Sequence, residues 1–270
     1  MNEFILSSEI LTEFQLETQK EYKVNAIVLL VENNRLNNGC DLLLLNKKMK
    51  TWVREAVSHF DCKFVDFNDK DNALNVIKTF IEDEDYTIVL FSDTPLISSV
   101  TVLDVLDYAT TKQLDFCKLP RGFIVKSKAL LEDKIELSSE PAFIEKNEFF
   151  TVFDYKTLAI AKDKIKNKII EKHLKNKVII HDINSVYIDS DVQIAPLVEI
   201  YANNILKGNT QIKSGVILKE NNTIENSVIG ENCKIISSYI SNKVIANGTK
   251  IGPFASVFGD KNVCIVDGEE

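Results

Sequence analysis

The chain has 270 residues, 45% of them hydrophobic and 27% charged, with a formal net charge of −8. A chain this long buries roughly three quarters of the surface its unfolded form exposes, so it needs no disulfide or metal staple to fold. Its acidic total gives no general attraction to phosphate backbones, which argues against a nucleic-acid partner. Residues 1–22 form an arm in which Phe4, Leu6, Ile10, Leu11, Phe14 and Leu16 are the apolar members. The arm can pack as a helix on its own domain or on a neighbouring molecule, and the residues do not choose. The start, Met1-Asn2-Glu3-Phe4, has none of the basic character of a signal peptide. The longest apolar runs, such as residues 26–31, fall far short of the ~20 residues a helix needs to cross a bilayer. Five cysteines, Cys40, Cys62, Cys117, Cys233 and Cys264, are scattered and never form a CxxC pair. That pattern reads as reduced, small hydrophobic side chains in a cytoplasmic protein.

Strand and helix patterns alternate through the first half. Residues 24–31 (VNAIVLLV) are nearly all apolar, as a strand buried on both faces should be. Residues 51–60 read as a helix, 63–67 as a short strand and 72–81 as a second helix with Leu74, Ile77 and Phe80 on one side. A third buried strand, 87–91 (TIVLF), runs into Ser92-Asp93-Thr94-Pro95-Leu96. A helix over 102–108 and a strand over 122–125 follow. This alternation predicts an α/β domain with a mostly parallel sheet, whose ligands lie at the carboxyl ends of the strands. Asp93 sits at such an end. Two readings stand for it: a carboxylate holding a divalent cation beside a nucleotide phosphate, and a turn residue before Pro95.

Residues 156–176 read as a helix, with Leu158, Ala161, Ile165, Ile169, Ile170 and Leu174 in one apolar stripe and lysines elsewhere. It is expected to connect two domains. His173 and His181 near its end lack the partners a metal site needs.

The last third has a period of six. Ile188, Ile194, Ile200, Leu206, Ile212, Leu218 and Ile224 follow one another at that spacing. The phase then slips by one residue and anchors resume at Ile229, Ile235, Ile240, Ile245, Ile251 and Val257. Six fits neither the 3.6 of a helix nor strict alternation, and matches the hexapeptide repeat of a parallel β-helix. In its left-handed form three hexads close one triangular coil, the anchors point inward, and stacking pairs every strand edge. Gly208, Gly215, Gly230, Gly248 and Gly252 are expected at turns, and Asn203, Asn209, Asn221, Asn222 and Asn232 tolerate the same left-handed conformation.

Residues 88–97 (IVLFSDTPLI) resemble the strand and turn of sugar nucleotidyltransferases. Together with the helix, His181-Asp182, Tyr187-Ile188-Asp189, Leu206-Lys207-Gly208-Asn209-Thr210 and Ile251-Gly252-Pro253-Phe254-Ala255, they resemble the bifunctional UDP-N-acetylglucosamine pyrophosphorylase / glucosamine-1-phosphate N-acetyltransferase family. The arm over 1–22 matches nothing in that family; the resemblance implies a reduced nucleotidyltransferase-like, Rossmann-like α/β domain over 23–155. It further implies a linker helix over 156–177, a left-handed β-helix over 178–270, and a homotrimer built on parallel β-helices. It also implies a place in cell-wall biosynthesis. The reaction it implies is attack of a sugar 1-phosphate on the α-phosphorus of UTP, with Mg²⁺ and backbone donors stabilising the charge. On the family's pattern Asp93 falls on the metal-binding aspartate, Asp154 stands beside the position of the second metal ligand (here Phe153), and Gly122 falls in the sugar pocket.

The departures weigh against turnover. The family's glycine-rich triphosphate loop is replaced by Leu30-Val31-Glu32-Asn33-Asn34-Arg35-Leu36-Asn37-Asn38-Gly39, where Arg35 is the remaining cation for an anion. The uracil-reading stretch is replaced by Asn68-Asp69-Lys70-Asp71-Asn72-Ala73. No histidine follows His181 to serve as an acetyltransferase base, and the hexads stop about one repeat past Ile251. The expectation is weak or lost uridylyl transfer and no acetyltransferase site. Three functions are carried forward: an active nucleotidyltransferase with an altered phosphate site, a non-catalytic relative that binds a sugar nucleotide, UTP or a protein as scaffold or regulator, and an acyltransferase using the β-helix.

Overall fold

The computed structural model describes residues 22–32, 35, 36, 39–68, 72–82, 84–135, 141, 143, 144, 146–259, 264 and 265. The arm over 1–21 lies outside them. In chain order the elements are β1 (Val24–Val31), β2 (Leu43–Leu44), β3 (Lys47–Lys48), α1 (Met49–Ala56), β4 (Asp61–Phe67), α2 (Ala73–Lys78), β5 (Tyr86–Phe91), α3 (Ser99–Thr111), β6 (Phe116–Leu119), β7 (Gly122–Lys126), α4 (Ser127–Leu131) and α5 (Tyr155–Lys175). The short strands β8 to β22 follow.

The contacts divide the chain into two compact units. One contains the chain up to Val31, Arg54–Phe91 and the stretch that begins at Ser98; the other contains Glu32–Val53, Ser92–Ile97 and everything from Lys146 onward.

The first unit is built on a five-stranded sheet in the order β4-β1-β5-β7-β6. β1 pairs in parallel with β4 and with β5, while β7 runs antiparallel to both β5 and β6. Every residue of β5 is buried, which explains why its sequence is apolar without alternation. Ile27, Leu29, Val65, Val89, Val125 and Leu130 belong to one apolar cluster on this sheet. Helix α2 begins where Asn72 accepts a hydrogen bond from Leu74 N, and α3 where Ser98 accepts one from Thr101 N. The expected helix over 51–60 starts earlier, at Met49, and stops at Ala56, because the chain must turn before β4. β6 and α4 are additions to the sequence reading.

The second unit is a left-handed parallel β-helix with α5 and two inserted segments. Its strands are β8 (Ile179–Ile180), β9 (Tyr187–Ile188), β10 (Gln193–Ile194), β11 (Glu199–Ile200), β12 (Ile205–Lys207), β13 (Gln211–Ile212), β14 (Ile217–Leu218), β15 (Thr223–Glu225), β16 (Val228–Ile229), β17 (Lys234–Ile235), β18 (Tyr239–Ser241), β19 (Val244–Ile245), β20 (Lys250–Ile251), β21 (Ser256–Phe258) and β22 (Cys264–Ile265). Every third strand joins the same face, giving sheets β8-β11-β14-β17-β20, β9-β12-β15-β18-β21 and β10-β13-β16-β19-β22. All pairings between these strands are parallel. Ile188, Leu206, Ile224 and Ile240 are stacked rungs, each fully buried. Their spacing is 18 residues until Ile224 and 16 afterwards, so the slip in phase is a shortening of the coils.

The corners are lined by polar side chains that bond inward. Asn222 Nδ2 donates to Asn204 Oδ1 at 2.9 Å, Asn204 Nδ2 donates to Lys219 O at 2.9 Å, and Ser238 N donates to Asn222 Oδ1 at 3.0 Å. Asn204 and Asn222 are completely buried, so this ladder satisfies groups that would otherwise be costly. Asn222 therefore serves as an interior rung and not as a left-handed turn residue. Gly230 departs in another way: a Cβ there would lie 2.7 Å from Ile245 O, so close backbone approach, and not positive φ, requires glycine. Asn203, Asn221, Asn232, Gly208, Gly215, Gly248 and Gly252 do take positive φ.

Candidate functional site

Strand β5 delivers the chain into the turn Ser92-Asp93-Thr94. Ser92 and Thr94 are completely buried and Asp93 is only 7% exposed. The turn is fixed from outside. Val152 N donates to Asp93 O at 2.8 Å, Lys168 Nζ of α5 donates to Leu96 O at 2.7 Å, and Leu96 is part of the apolar cluster that includes Leu158 and Ile165. The Cys40 thiol lies beside Ser92, and burial together with the Asp41 charge pushes its pKa up, which keeps it a poor nucleophile.

The Val152 bond also brings the start of α5 to the Asp93 turn. Asp154 caps that helix: its Oδ1 accepts from Thr157 N and from Thr157 Oγ1, both at 2.7 Å. Thr157 Oγ1 in turn accepts from Asp154 N at 3.0 Å, completing a reciprocal cap. These bonds hold the Asp154 carboxyl below the usual carboxylate range. Phe153, just before the cap, is 46% exposed.

Arg35 is exposed in the segment after β1. That segment spends its side chains on apolar burial: Leu36, Leu44, Leu45 and Met49 all join the cluster containing Val186 and Ile188 of the β-helix. β2 and β3 pair as a hairpin whose turn residues, Leu45 and Asn46, have φ of 49° and 68°. Ser190 N donates to Leu45 O and Asn46 Nδ2 to Asp191 Oδ2, both at 3.3 Å, and Trp52 Nε1 donates to Leu44 O at 3.0 Å. Arg35, Asp93 and Asp154 thus all belong to the second unit.

Gly122 belongs to the first unit, opposite Leu90 of β5. Its φ is +132° and a Cβ would lie 2.5 Å from Val89 O, so the backbone there admits only glycine. Next to it the Arg121 guanidinium lies 4.1 Å from the centre of the Phe91 ring, and Phe91 meets Phe67 edge to face at 5.5 Å.

A magnesium ion takes one or two carboxylates and leaves its remaining positions to water and substrate phosphates. The Val152 bond ties the backbone of the Asp93 turn to the segment that leads into Asp154. Among the described residues no cluster of three or more His, Cys, Asp or Glu side chains could hold a metal on its own. No helix there is long and apolar enough to cross a membrane. Lys168 is the contact the sequence did not single out; it is one lysine among many on α5, and only the fold reveals its bond to the Asp93 turn.

His173 is buried and its pKa falls to about 4, first through burial and then through Lys172. His181 is a surface residue: its ring lies 4.1 Å from that of Tyr201, and its Nε2 is 3.7 Å from Glu199 Oε2.

An α/β sheet followed by a left-handed parallel β-helix of hexapeptide repeats defines the architectural class. Comparison with known proteins makes this specific. The chain is 38% identical over 99 residues to the bifunctional protein GlmU of Clostridium acetobutylicum, covering 37% of this chain and 22% of the relative. It is 39% identical over 111 residues to GlmU of Streptococcus gordonii, covering 41% and 24%. A longer match, to GlmU of Clostridioides difficile, is 27% identical over 249 residues and covers 68% of this chain and 54% of the relative. No protein-family profile matches the chain. The chain is a relative of the bifunctional GlmU proteins, and its matches span between about a fifth and about half of their length.

Proposed function

We propose that this chain is a sugar-nucleotide-handling relative of UDP-N-acetylglucosamine pyrophosphorylase in which uridylyl transfer is weak or lost and whose β-helix is a scaffold. The observation that carries this reading is the use made of the segment after β1. Where the implied family has a glycine-rich phosphate loop, residues 30–39 lack the paired glycines and Leu36 is buried in the β-helix cluster, with Leu44, Leu45 and Met49 of the segment that follows joining it. A loop without those glycines lacks the permissive backbone that lets N–H groups close round a triphosphate. Losing a group of transition-state donors costs several orders of magnitude in rate, since a single one is worth about 10²–10³.

Binding is a lesser demand than transfer. In the second unit, Asp93 at the tip of β5, the Asp154 carboxylate and Arg35 support retention of UTP or a nucleotide sugar with Mg²⁺, and Gly122 supports it separately within the first unit. There Mg²⁺ would neutralise phosphate charge while Asp93 and Asp154 orient it. The second reading, an active nucleotidyltransferase with an altered phosphate site, draws its support from these same four residues. In the β-helix, His181 is engaged by Tyr201 and Glu199. That supports a scaffold over an acyltransferase, whose chemistry needs a base facing its substrate. The cytoplasm is the proposed location. A homotrimer is the proposed assembly, supported by the outward face with Gln193, Gln211, Val228 and Val244 in one column and Ala195, Lys213, Gly230 and Ala246 in the next.

Calorimetric titration with UTP and with UDP-N-acetylglucosamine, with and without Mg²⁺, tests the reading, with light scattering on the same sample. Micromolar binding with no pyrophosphate released from UTP and sugar phosphates is the expected result. Turnover would establish the second reading. No heat at millimolar ligand removes both and leaves a structural or partner-binding role.

A further inference from the structure

Strands β1, β4 and β5 of the first unit run parallel, with β1 between the other two. The chain therefore leaves β1 toward β4 on one side and then crosses to β5 on the other. In open parallel sheets such a reversal opens a crevice at the carboxyl ends of the strands, and ligands bind there. β4 ends at Phe67 and β5 at Phe91, and these two rings meet edge to face at 5.5 Å. Both rings are buried, and the half-buried Arg121 sets its guanidinium over the Phe91 ring, 4.1 Å from its centre. Phe67, Phe91 and Arg121 all belong to the first unit.

The backbone that carries Arg121 is stiff. β6 and β7 pair up to Leu119 and Gly122, so Pro120 and Arg121 alone make the turn between them. Proline fixes its own φ, and Gly122 is pinned against β5, where a Cβ would lie 2.5 Å from Val89 O. An aliphatic side chain would cover Phe91 equally well. A guanidinium also brings five N–H donors in a planar fork, and stacking on a ring engages its face and none of those donors. We propose that Arg121 is the phosphate-reading residue of the first unit, making a bidentate contact to the diphosphate of a nucleotide sugar. This role rests on the sugar-nucleotide binding proposed above. The stacked position orders the side chain before the ligand arrives, and the fork matches two phosphate oxygens. With a net charge of −8 the chain as a whole repels a diphosphate, so binding needs a fixed local cation.

Calorimetric titration of the unmodified chain, Arg121→Gln and Arg121→Lys with UDP-N-acetylglucosamine and Mg²⁺ tests this. Arg121→Gln should weaken binding by about tenfold to a hundredfold, the range for losing hydrogen bonds to a charged group, with Tm held within a few degrees. Arg121→Lys should recover only part of the loss, because an ammonium is a point charge without the fork. Binding that is the same in the unmodified chain and in Arg121→Gln would overturn the role of Arg121 and leave sugar-nucleotide binding standing. No heat with the unmodified chain would remove sugar-nucleotide binding and the role of Arg121 together. Should Arg121→Gln unfold the unit, Arg121→Lys decides alone, since it keeps the charge and the stem: weaker binding supports the fork, and binding equal to the unmodified chain overturns it.

Discussion

The two units solve the problem of pairing strands in opposite ways. In the β-helix each strand has two or three residues, and its partner lies about one coil away, 16 to 20 residues along the chain. In the α/β unit β1 has eight residues and its parallel partners start 36 and 62 residues further on. A short, repeated separation lets the sequence write the same instruction many times, so one pattern describes the whole column. The sheet writes each instruction once. Its connections are free to differ, and two of them, after β1 and after β5, have been drawn into the β-helix unit. The functional consequence follows from the second arrangement. The residues nearest the carboxyl ends of the strands, where a ligand would bind, are held by groups far away in the sequence.

The sharpest way to break this contrast is to remove equivalent side chains from each unit. Ile224 stacks between Leu206 and Ile240, and Ile88 lies between Ala26 and Ile124; both isoleucines are completely buried. Ile224→Ala and Ile88→Ala should each cost about 2–5 kcal/mol in denaturant unfolding. Their footprints should differ. Exchange protection should fall in the coils on both sides of Ile224, and across β1, β5 and β7 for Ile88. A loss below about 1 kcal/mol for Ile224→Ala would mean that the column relaxes around a missing rung and is not a close-packed core.

The second test uses acid. His173 is neutral in the folded state, with its pKa lowered from 6.5 to about 4. The unfolded chain takes up a proton near pH 6.5 while the folded chain refuses it until about pH 4. Stability from this residue is therefore whole above pH 6.5 and is lost as pH falls toward 4. At about 1.4 kcal/mol per unit the full loss is about 3 kcal/mol. His173→Leu should flatten the urea-midpoint profile over that window. An identical profile in the variant would show that the imidazole is protonated without penalty.

What the sequence disclosed follows the same contrast. Hexad anchors, the slip after Ile224 and the helix over 156–176 are visible as periodicity, because burial there repeats at a fixed spacing, whereas β1 and β5 are visible as nearly unbroken apolar runs, because both faces of the sheet are covered. The hairpin of β2 and β3 is not, since Leu44 and Leu45 find their burial beside Val186 and Ile188, about 140 residues away. Asn209, Asn222 and Gly230 suit a left-handed turn by residue type, yet none of them takes one. An amide or a glycine near a turn suits both a left-handed conformation and a tight neighbour, and only the adjacent coil decides between them. At the candidate site, Asp93 was legible from its place after a buried strand. The Val152 bond and the Lys168 bond that fix its turn were not, because both come from the far side of a long connection.

The smallest expected effect is at Asp154, and it separates two uses of one carboxylate. As a cap it needs only a side-chain oxygen that accepts from Thr157 N, which asparagine also supplies. As a magnesium ligand it needs its charge. Its carboxyl is held below the usual range, so the stabilisation it gives is present above about pH 3.8 and disappears as pH falls through the lowered value. Asp154→Asn should leave Tm within about a degree at neutral pH, whereas Asp154→Ala should lower it by a few degrees as the cap is lost. If Asp154 also orients Mg²⁺, Asp154→Asn should abolish the Mg²⁺-dependent part of the UTP heat while Tm stays put. Retention of that heat in the asparagine variant would assign the residue to the helix alone and leave Asp93 as the single carboxylate of the site.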